Sequence, residues 1–171
     1  MSKNLTILLP LLERYEFTLR VLYHLSHTNC KYPIYIADGS KKKKFSNSFF
    51  SHHYANLNIT YKKYSYDRNF HFFFKKMFAS LSRIKTKYVF QLDNDDFVSN
   101  KFLDHGVHFL NKNPKFSCVA GRALMFSILN LFSIVNSNGY FKKENAIYPD
   151  SKDILQNSPF KRLLYHKNLK P

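Results

Sequence analysis

The chain has 171 residues, 44% of them hydrophobic and 18% aromatic, which is the size of one domain and enough to bury a core. Its net charge of +16 admits phosphorylated small molecules, acidic membranes and nucleic acid as partners, although A/T-rich coding DNA also yields such a Lys-, Asn- and Phe-rich composition. With only four glycines, the chain has no P-loop, no GxGxxG dinucleotide motif and no GxSxG nucleophile motif.

The first two predicted elements are a strand and a helix. Residues 5–10 form a continuous apolar run, which is typical of a buried strand. Residues 13–29 follow, with Leu19, Leu22 and Tyr23 at the i, i+3 and i+4 spacing of an amphipathic helix. We therefore expect these three side chains to face the core.

Two more strands, at 32–40 and 57–64, precede the most regular helix of the sequence. That helix spans 69–82, and its apolar side chains follow a helical period. The apolar set is Phe70, Phe73, Phe74, Met77, Phe78 and Leu81. An aromatic stripe can stack nucleic-acid bases, but this regular spacing favours core packing. We expect the stripe to be buried and Lys76 to lie on the opposite side.

The next predicted elements are a strand at 87–92, a helix at 99–114 with Ser99 as its cap, and a strand at 115–121. Helices that alternate with apolar strands predict an α/β fold, a sandwich of helices around a mostly parallel sheet. Residues 122–171 have a looser pattern, which indicates a hairpin against the sheet followed by a basic tail.

The cysteines and the apolar segments bear on location. Cys30 and Cys118 have no metal-ligand spacing and no secretory context, which favours a reduced, cytoplasmic setting. The apolar N-terminal run is too short for a signal peptide, and the apolar stretch at 123–135 falls short of the roughly 18 residues of a membrane span. We expect a cytoplasmic protein without a transmembrane segment.

Three of the 11 acidic residues lie in one tetrapeptide, Asp93-Asn94-Asp95-Asp96, directly after a predicted strand. Asp38 ends another strand, and ligands of open α/β sheets bind where the carboxyl ends of strands converge. Neighbouring carboxylates repel one another unless a cation or water offsets their charge, and Mg²⁺ or Mn²⁺ prefers such oxygen ligands together with phosphate. The alternative is an exposed acidic turn at a helix start. Spacing alone does not choose between them.

Three segments together resemble the nucleotide-sugar-binding half of family-2-like glycosyltransferases of the GT-A fold, which is Rossmann-like. They are "LTILLPLLERYEFTLRVLYHL", "YIADGS" and "TKYVFQLDNDDFVSNKFL", and the resemblance covers roughly residues 4–121. It implies one domain over 1–171, with a nucleotide-sugar-binding core at 1–121 and a partial acceptor-side hairpin and tail at 122–171. It also implies that Asp38 contacts the base.

The resemblance also implies roles for the tetrapeptide. Asp93 would be the carboxylate on the ribose side, Asp95 the metal ligand on the diphosphate, and Asp96 a supporting carboxylate. All three are therefore candidate ligands for Mn²⁺ or Mg²⁺.

Four further residues resemble nucleotide contacts of the family. Pro10 and Arg14 are similar to its base-side loop, while Arg68 and Asn69 are similar to an Arg-Asn pair at a helix start. A helix cap at Asp67 or Asn69 is an equally good interpretation of the last feature.

The resemblance implies transfer of a sugar from a nucleotide-diphosphate sugar, favouring a UDP-sugar, to a glycan or lipid-linked acceptor with inversion. Here the chain departs from the family, because only Asp150, Asp153 and Glu144 are acidic after Gly121. Asp150 and Asp153 are candidate catalytic bases, although loop or cap positions explain them better. A donor-binding half, a truncated product and one part of a split enzyme all remain open.

A basic α/β module that binds nucleic acid or an anionic membrane is the rival interpretation. The four consecutive lysines at 41–44 fit a solvated loop first and peripheral contact with an anionic membrane second. The glycosyltransferase interpretation expects no nucleic-acid partner.

Overall fold

Strands and helices alternate along residues 4–121, the part of the chain that the computed structural model describes. In chain order the elements are β1 (Leu5–Leu11), α1 (Tyr15–His27), β2 (Ile34–Asp38), α2 (Asn47–His53), β3 (Ile59–Lys63), α3 (Phe70–Leu81), β4 (Tyr88–Gln91) and α4 (Asn100–Lys112). The described strands form one parallel sheet in the order β3-β2-β1-β4. This confirms the predicted α/β class and its mostly parallel sheet.

The sheet has helices on both faces because β1 and β2 are apolar on both sides. Leu9 and Ile36 point into a large core shared with α1, α2 and α4. Leu8 precedes Leu9 and Ala37 follows Ile36. Both point to the opposite face of the sheet, where Met77 of α3 packs. Successive strand residues point to opposite faces, so a continuous apolar run is what a strand covered on both sides requires.

Helices α1 and α2 differ from what the sequence pattern predicts. Helix α2 was not predicted; it begins after Ser46, whose hydroxyl accepts a hydrogen bond from the Phe49 amide, and it buries Phe50. In α1, Leu22 is buried as expected, but Tyr23 is 60% exposed. The buried face of α1 instead continues through Val21 and Leu25, so the helix is rotated relative to the expected stripe.

The expected orientation of α3 was wrong. Lys76, Met77 and Ser80 are its buried residues, whereas most of the predicted apolar stripe is exposed, with Phe74 at 63%. The exposed members are Phe70, Phe74, Phe78 and Leu81. An ion pair with Asp67 explains why a lysine can be buried, since a charge leaves water only when it is paired.

The predicted strand at 115–121 was also wrong, because this segment has no regular structure and is mostly exposed. Ser117 and Val119 border a cavity beside β4, but no ladder of hydrogen bonds joins them to it. Ser99 precedes α4, yet its side chain makes no cap hydrogen bond. The hairpin expected at 122–171 lies outside the described residues.

None of the helices described within residues 4–121 is long and apolar enough to cross a membrane.

Candidate functional site

The candidate site lies at the carboxyl edge of the sheet, where β1, β2 and β4 end side by side. Leu11 at the end of β1 is in register with Asp38 at the end of β2. On the other side of β1, β4 runs into the acidic tetrapeptide. Since β1 lies between them, the ends of β2 and β4 are two strand spacings apart, about 10 Å. A single ion could therefore not bind both Asp38 and the acidic loop, residues 93–96.

A buried amide anchors the acidic loop to α1. The Asn94 side chain donates to the Arg14 carbonyl at 3.3 Å and to the Thr18 hydroxyl at 3.4 Å. The Asp96 amide donates to the Asp93 carbonyl at 3.1 Å, which closes the loop into a turn. Asn94 faces inward, so the three aspartates of the loop are left on the exposed side.

Arg14 and Asp95, two of the predicted site residues, form an ion pair although 81 residues separate them. Both side chains are about half exposed, so the pair adds little stability. The Arg14 guanidinium also lies 5.2 Å from the centre of the Phe17 ring. The pair places the cationic guanidinium of Arg14 next to the acidic loop.

The acidic loop carries unfavourable electrostatic energy. Desolvation, followed by the charges of Asp95 and Asp93, raises the pKa of Asp96 above its ordinary value. A divalent cation would relieve this repulsion, and the three carboxylates supply the hard oxygen donors that Mg²⁺ and Mn²⁺ prefer. Within residues 4–121 no three or more His, Cys, Asp or Glu side chains converge to hold a metal by themselves. Binding of Mn²⁺ or Mg²⁺ by Asp93, Asp95 and Asp96 stays a prediction, and it would need further ligands such as phosphate and water.

A cavity of about 250 Å³ opens beside the loop, between the end of β1 and α3. It is lined by Pro10, Leu11, Leu12, Arg14, Phe73, Lys76 and Asn94. The structure thus brings the predicted residues Pro10 and Arg14 together in one cavity. Lys76 and Asn94 were not predicted as site residues, and the helical pattern of α3 pointed away from Lys76.

Asp38 is enclosed rather than open to the cavity, with 0% exposure. Its carboxylate accepts from the Ser40 amide at 2.7 Å and from the Tyr61 hydroxyl at 2.6 Å. Burial, and after it the hydrogen bond to Asp38 and the charge of that residue, raise the pKa of Tyr61. Each carboxylate oxygen has a second lone pair, but a ligand reaches it only if the surrounding side chains move, because the carboxylate is fully enclosed. The contact of Asp38 with a base stays a prediction.

Arg68 and Asn69 directly precede α3 and do not line the cavity. The Asn69 side chain accepts from the Phe72 amide at 3.2 Å, which confirms the helix-cap interpretation for this residue. The Arg68 guanidinium lies 4.4 Å from the centre of the Phe72 ring. Asp67 is no cap, because its carboxylate is buried against Lys76. Nucleotide contacts from Arg68 and Asn69 stay predictions, and the candidate bases Asp150 and Asp153 lie outside the described residues.

This α/β fold is shared with solved structures of a glycosyltransferase. They are crystal structures of Staphylococcus aureus TarS, the first a fragment of residues 1–349 with a TM-score of 0.53 and 15% sequence identity, covering 73% of this chain and 39% of that one. A second TarS structure gives a TM-score of 0.52 at 14% identity and covers 71% of this chain and 23% of that one. The 1–349 fragment in complex with UDP gives 0.50 at 14% identity, with 73% and 39% covered.

The chain therefore spans well under half of the length of these TarS structures. At such low identity the likeness establishes the fold. Protein-family models and curated proteins give no match to the sequence. The family-2 assignment stays a prediction.

Proposed function

We propose that this chain is the donor-binding part of a glycosyltransferase that takes a nucleotide-diphosphate sugar, with a UDP-sugar favoured. The observation that carries the proposal is the acidic loop, anchored by Asn94 and placed beside the cavity at the carboxyl edge of a parallel sheet. One of the structures that share the fold was determined with UDP bound. A bound nucleotide at this edge is also what open α/β sheets favour.

In this proposal the residues divide along the length of the donor. Asp38 and Pro10 serve the base side, and Asp93 the ribose side, as the family resemblance implies. Arg14 exchanges its partner Asp95 for the diphosphate, because a guanidinium binds phosphate oxygens well. Mn²⁺ or Mg²⁺ would be held by Asp95 with help from Asp93 and Asp96, and a cation there offsets the charge of a leaving diphosphate.

Transfer further needs a base that removes the proton of the acceptor hydroxyl. We propose Asp150 and Asp153 as the candidates for this base within the chain. The expected reaction transfers the sugar to a glycan or lipid-linked acceptor with inversion. A donor-binding part whose base comes from elsewhere would bind the nucleotide without transferring the sugar.

Calorimetric titration of UDP, with and without Mn²⁺, tests the donor site. We expect metal-dependent binding by the wild-type chain and at least a ten-fold loss of affinity in Asp95→Asn. The control Glu16→Gln removes one exposed carboxylate from the first turn of α1 and should bind as the wild type does. A folded wild-type chain that binds no nucleoside diphosphate would refute the proposal.

A second candidate function, peripheral contact with an anionic membrane, is favoured by the exposed face of α3. Phe70, Phe74 and Phe78 are exposed there, and the sequence between Asp67 and Asp93 contains no acidic residue and five exposed Lys or Arg besides the buried Lys76. Exposed aromatic groups beside basic side chains are typical of helices that lie in a bilayer interface.

Sedimentation with lipid vesicles tests this contact. We expect the protein to sediment with vesicles containing about 30% anionic lipid, but not with neutral vesicles, because each Lys near an anionic surface is worth about 1 kcal/mol. The double substitution Phe74→Ser with Phe78→Ser should abolish sedimentation and leave UDP affinity unchanged. Equal sedimentation of the variant would show that α3 is not the contact.

A further inference from the structure

The least exposed ion pair of residues 4–121 joins Lys76 of α3 to Asp67 of the preceding loop, with both side chains 1% exposed. Desolvation lowers the pKa of Lys76, whereas the hydrogen bond and charge of Asp67 act in the opposite direction. The second carboxylate oxygen of Asp67, Oδ1, is buried and has no hydrogen-bond partner among the described residues. A buried charge pair with an unpaired oxygen is a poor source of stability, since desolvation offsets its attraction.

The pair instead connects the ends of two strands. The Lys76 ammonium donates to the Leu11 carbonyl at 3.3 Å, and the Gly39 amide donates to the same carbonyl at 2.8 Å. The Asp67 amide donates to the Gly39 carbonyl at 2.8 Å. One continuous network therefore runs from the end of β1 through the residue after Asp38 to the loop that precedes α3.

The Asp67 carboxylate occupies the space that a side chain at position 39 would need. A Cβ atom at position 39 would lie 2.1–2.4 Å from the Asp67 carboxylate atoms, closer than any tolerable contact. The backbone of Gly39 is not in the left-handed region, so the glycine is required for space and not for its dihedral angles. The carboxylate is thus held directly against the turn that follows Asp38.

We propose that Lys76 and Asp67 are positioning residues for the nucleoside diphosphate: they fix the ends of β1 and β2 at the separation and orientation that the ligand requires. This inference rests on the donor site proposed above. Leu11 and Lys76 both line the cavity, and Asp38 immediately precedes Gly39, so a shift of the network moves one wall of the cavity and the base-side carboxylate together. Binding sites held rigidly in advance lose less affinity to ordering.

A neutral pair of similar shape separates positioning from stability. In the double variant Asp67→Asn with Lys76→Met the buried charges disappear together, a change that often leaves a fold as stable as before or more so. The matched control is Lys75→Met, which removes one exposed charge from the adjacent position of α3. For all three proteins we would measure the urea midpoint, the UDP dissociation constant with Mn²⁺ present, and amide hydrogen exchange.

We expect the double variant to keep its urea midpoint, to bind UDP at least ten-fold more weakly, and to exchange the Gly39 amide at least ten-fold faster. The Ile7 amide, which donates to the Pro33 carbonyl at 2.8 Å within the sheet, should exchange at the wild-type rate. The control should match the wild type in all three measurements. Unchanged UDP affinity in a double variant whose wild-type parent binds UDP would overturn the positioning role and leave the donor site intact.

Two further outcomes are also decisive. If the wild-type chain binds no UDP, the donor site fails and the positioning of a donor fails with it. The Gly39 exchange rate then decides only whether the pair holds the ends of β1 and β2 together: faster exchange in the double variant shows that it does, and unchanged exchange shows that it does not. If the double variant does not fold, Asp67→Asn alone replaces it, because a buried Lys76 can lose its proton instead of remaining as an unpaired charge. The same changes in exchange and affinity are expected of that variant.

Discussion

Replacing Gly39 by alanine places a methyl group where the Asp67 carboxylate lies. The nearest carboxylate atom would be 2.1 Å from the new Cβ, so Asp67 has to move. Asp67 is buried and short, and its movement separates it from Lys76. The substitution thus breaks a buried ion pair while leaving both charges in the protein.

The expected size of the effect follows from two opposing contributions. Breaking a buried ion pair destabilises a protein by about 3–5 kcal/mol. Alanine restricts the unfolded chain more than glycine does. At a position with an ordinary backbone conformation this raises the free energy of unfolding by about 0.4–1 kcal/mol. We therefore expect Gly39→Ala to lower the free energy of unfolding by about 2–4.5 kcal/mol.

Urea unfolding followed by circular dichroism measures this loss. With a slope of about 2 kcal/mol per molar urea, the midpoint should fall by about 1–2 M. The matched control is Gly106→Ala in α4, where a Cβ would meet only Val119 Cγ1 at 3.4 Å. That control should gain about 0.5–1 kcal/mol from helix propensity. If Gly39→Ala were as stable as Gly106→Ala, the packing of Asp67 against Gly39 would be refuted.

Three more predictions concern Asp38, the acidic loop and α3. Tyr61→Phe removes a hydrogen bond to the buried Asp38 carboxylate and should lower the free energy of unfolding by about 1.5–3 kcal/mol in urea titrations, against about 1 kcal/mol or less for Tyr54→Phe. Because the pKa of Asp96 is raised in the folded state, ionisation of Asp96 destabilises the fold: Asp96→Asn should be more stable than wild type at pH 7. That difference in urea midpoint should vanish as the pH falls through the raised pKa of Asp96 to below 3.8, and a constant difference would contradict the raised pKa. Phe74→Ser should change the free energy of unfolding by about 0.5 kcal/mol or less because the ring is exposed, and a loss of about 3–5 kcal/mol would show that it is buried.

The order of the elements and the edge of the sheet that carries the site could be predicted from local patterns. The apolar run of β1 is buried on both faces, and such a run has few alternatives to a central strand. Asp38 ends a strand and the acidic loop follows one, so parallel pairing was enough to bring both to one edge. Helix α2 was missed. Ser46 was an available signal for it, because a serine is a common helix cap and its hydroxyl accepts a hydrogen bond from the Phe49 amide three residues later.

The sequence by itself determined the four strands of the sheet, three of the four described helices and the placement of the carboxylates at strand ends, because these depend on residues that are neighbours along the chain. Tertiary structure alone decided that Arg14 meets Asp95, that Tyr61 encloses Asp38, and that α3 buries Lys76 while exposing Phe74. Helical spacing defines the angles between side chains but not which side meets the sheet. A lysine becomes a buried residue only when folding brings a carboxylate to it and closes water out.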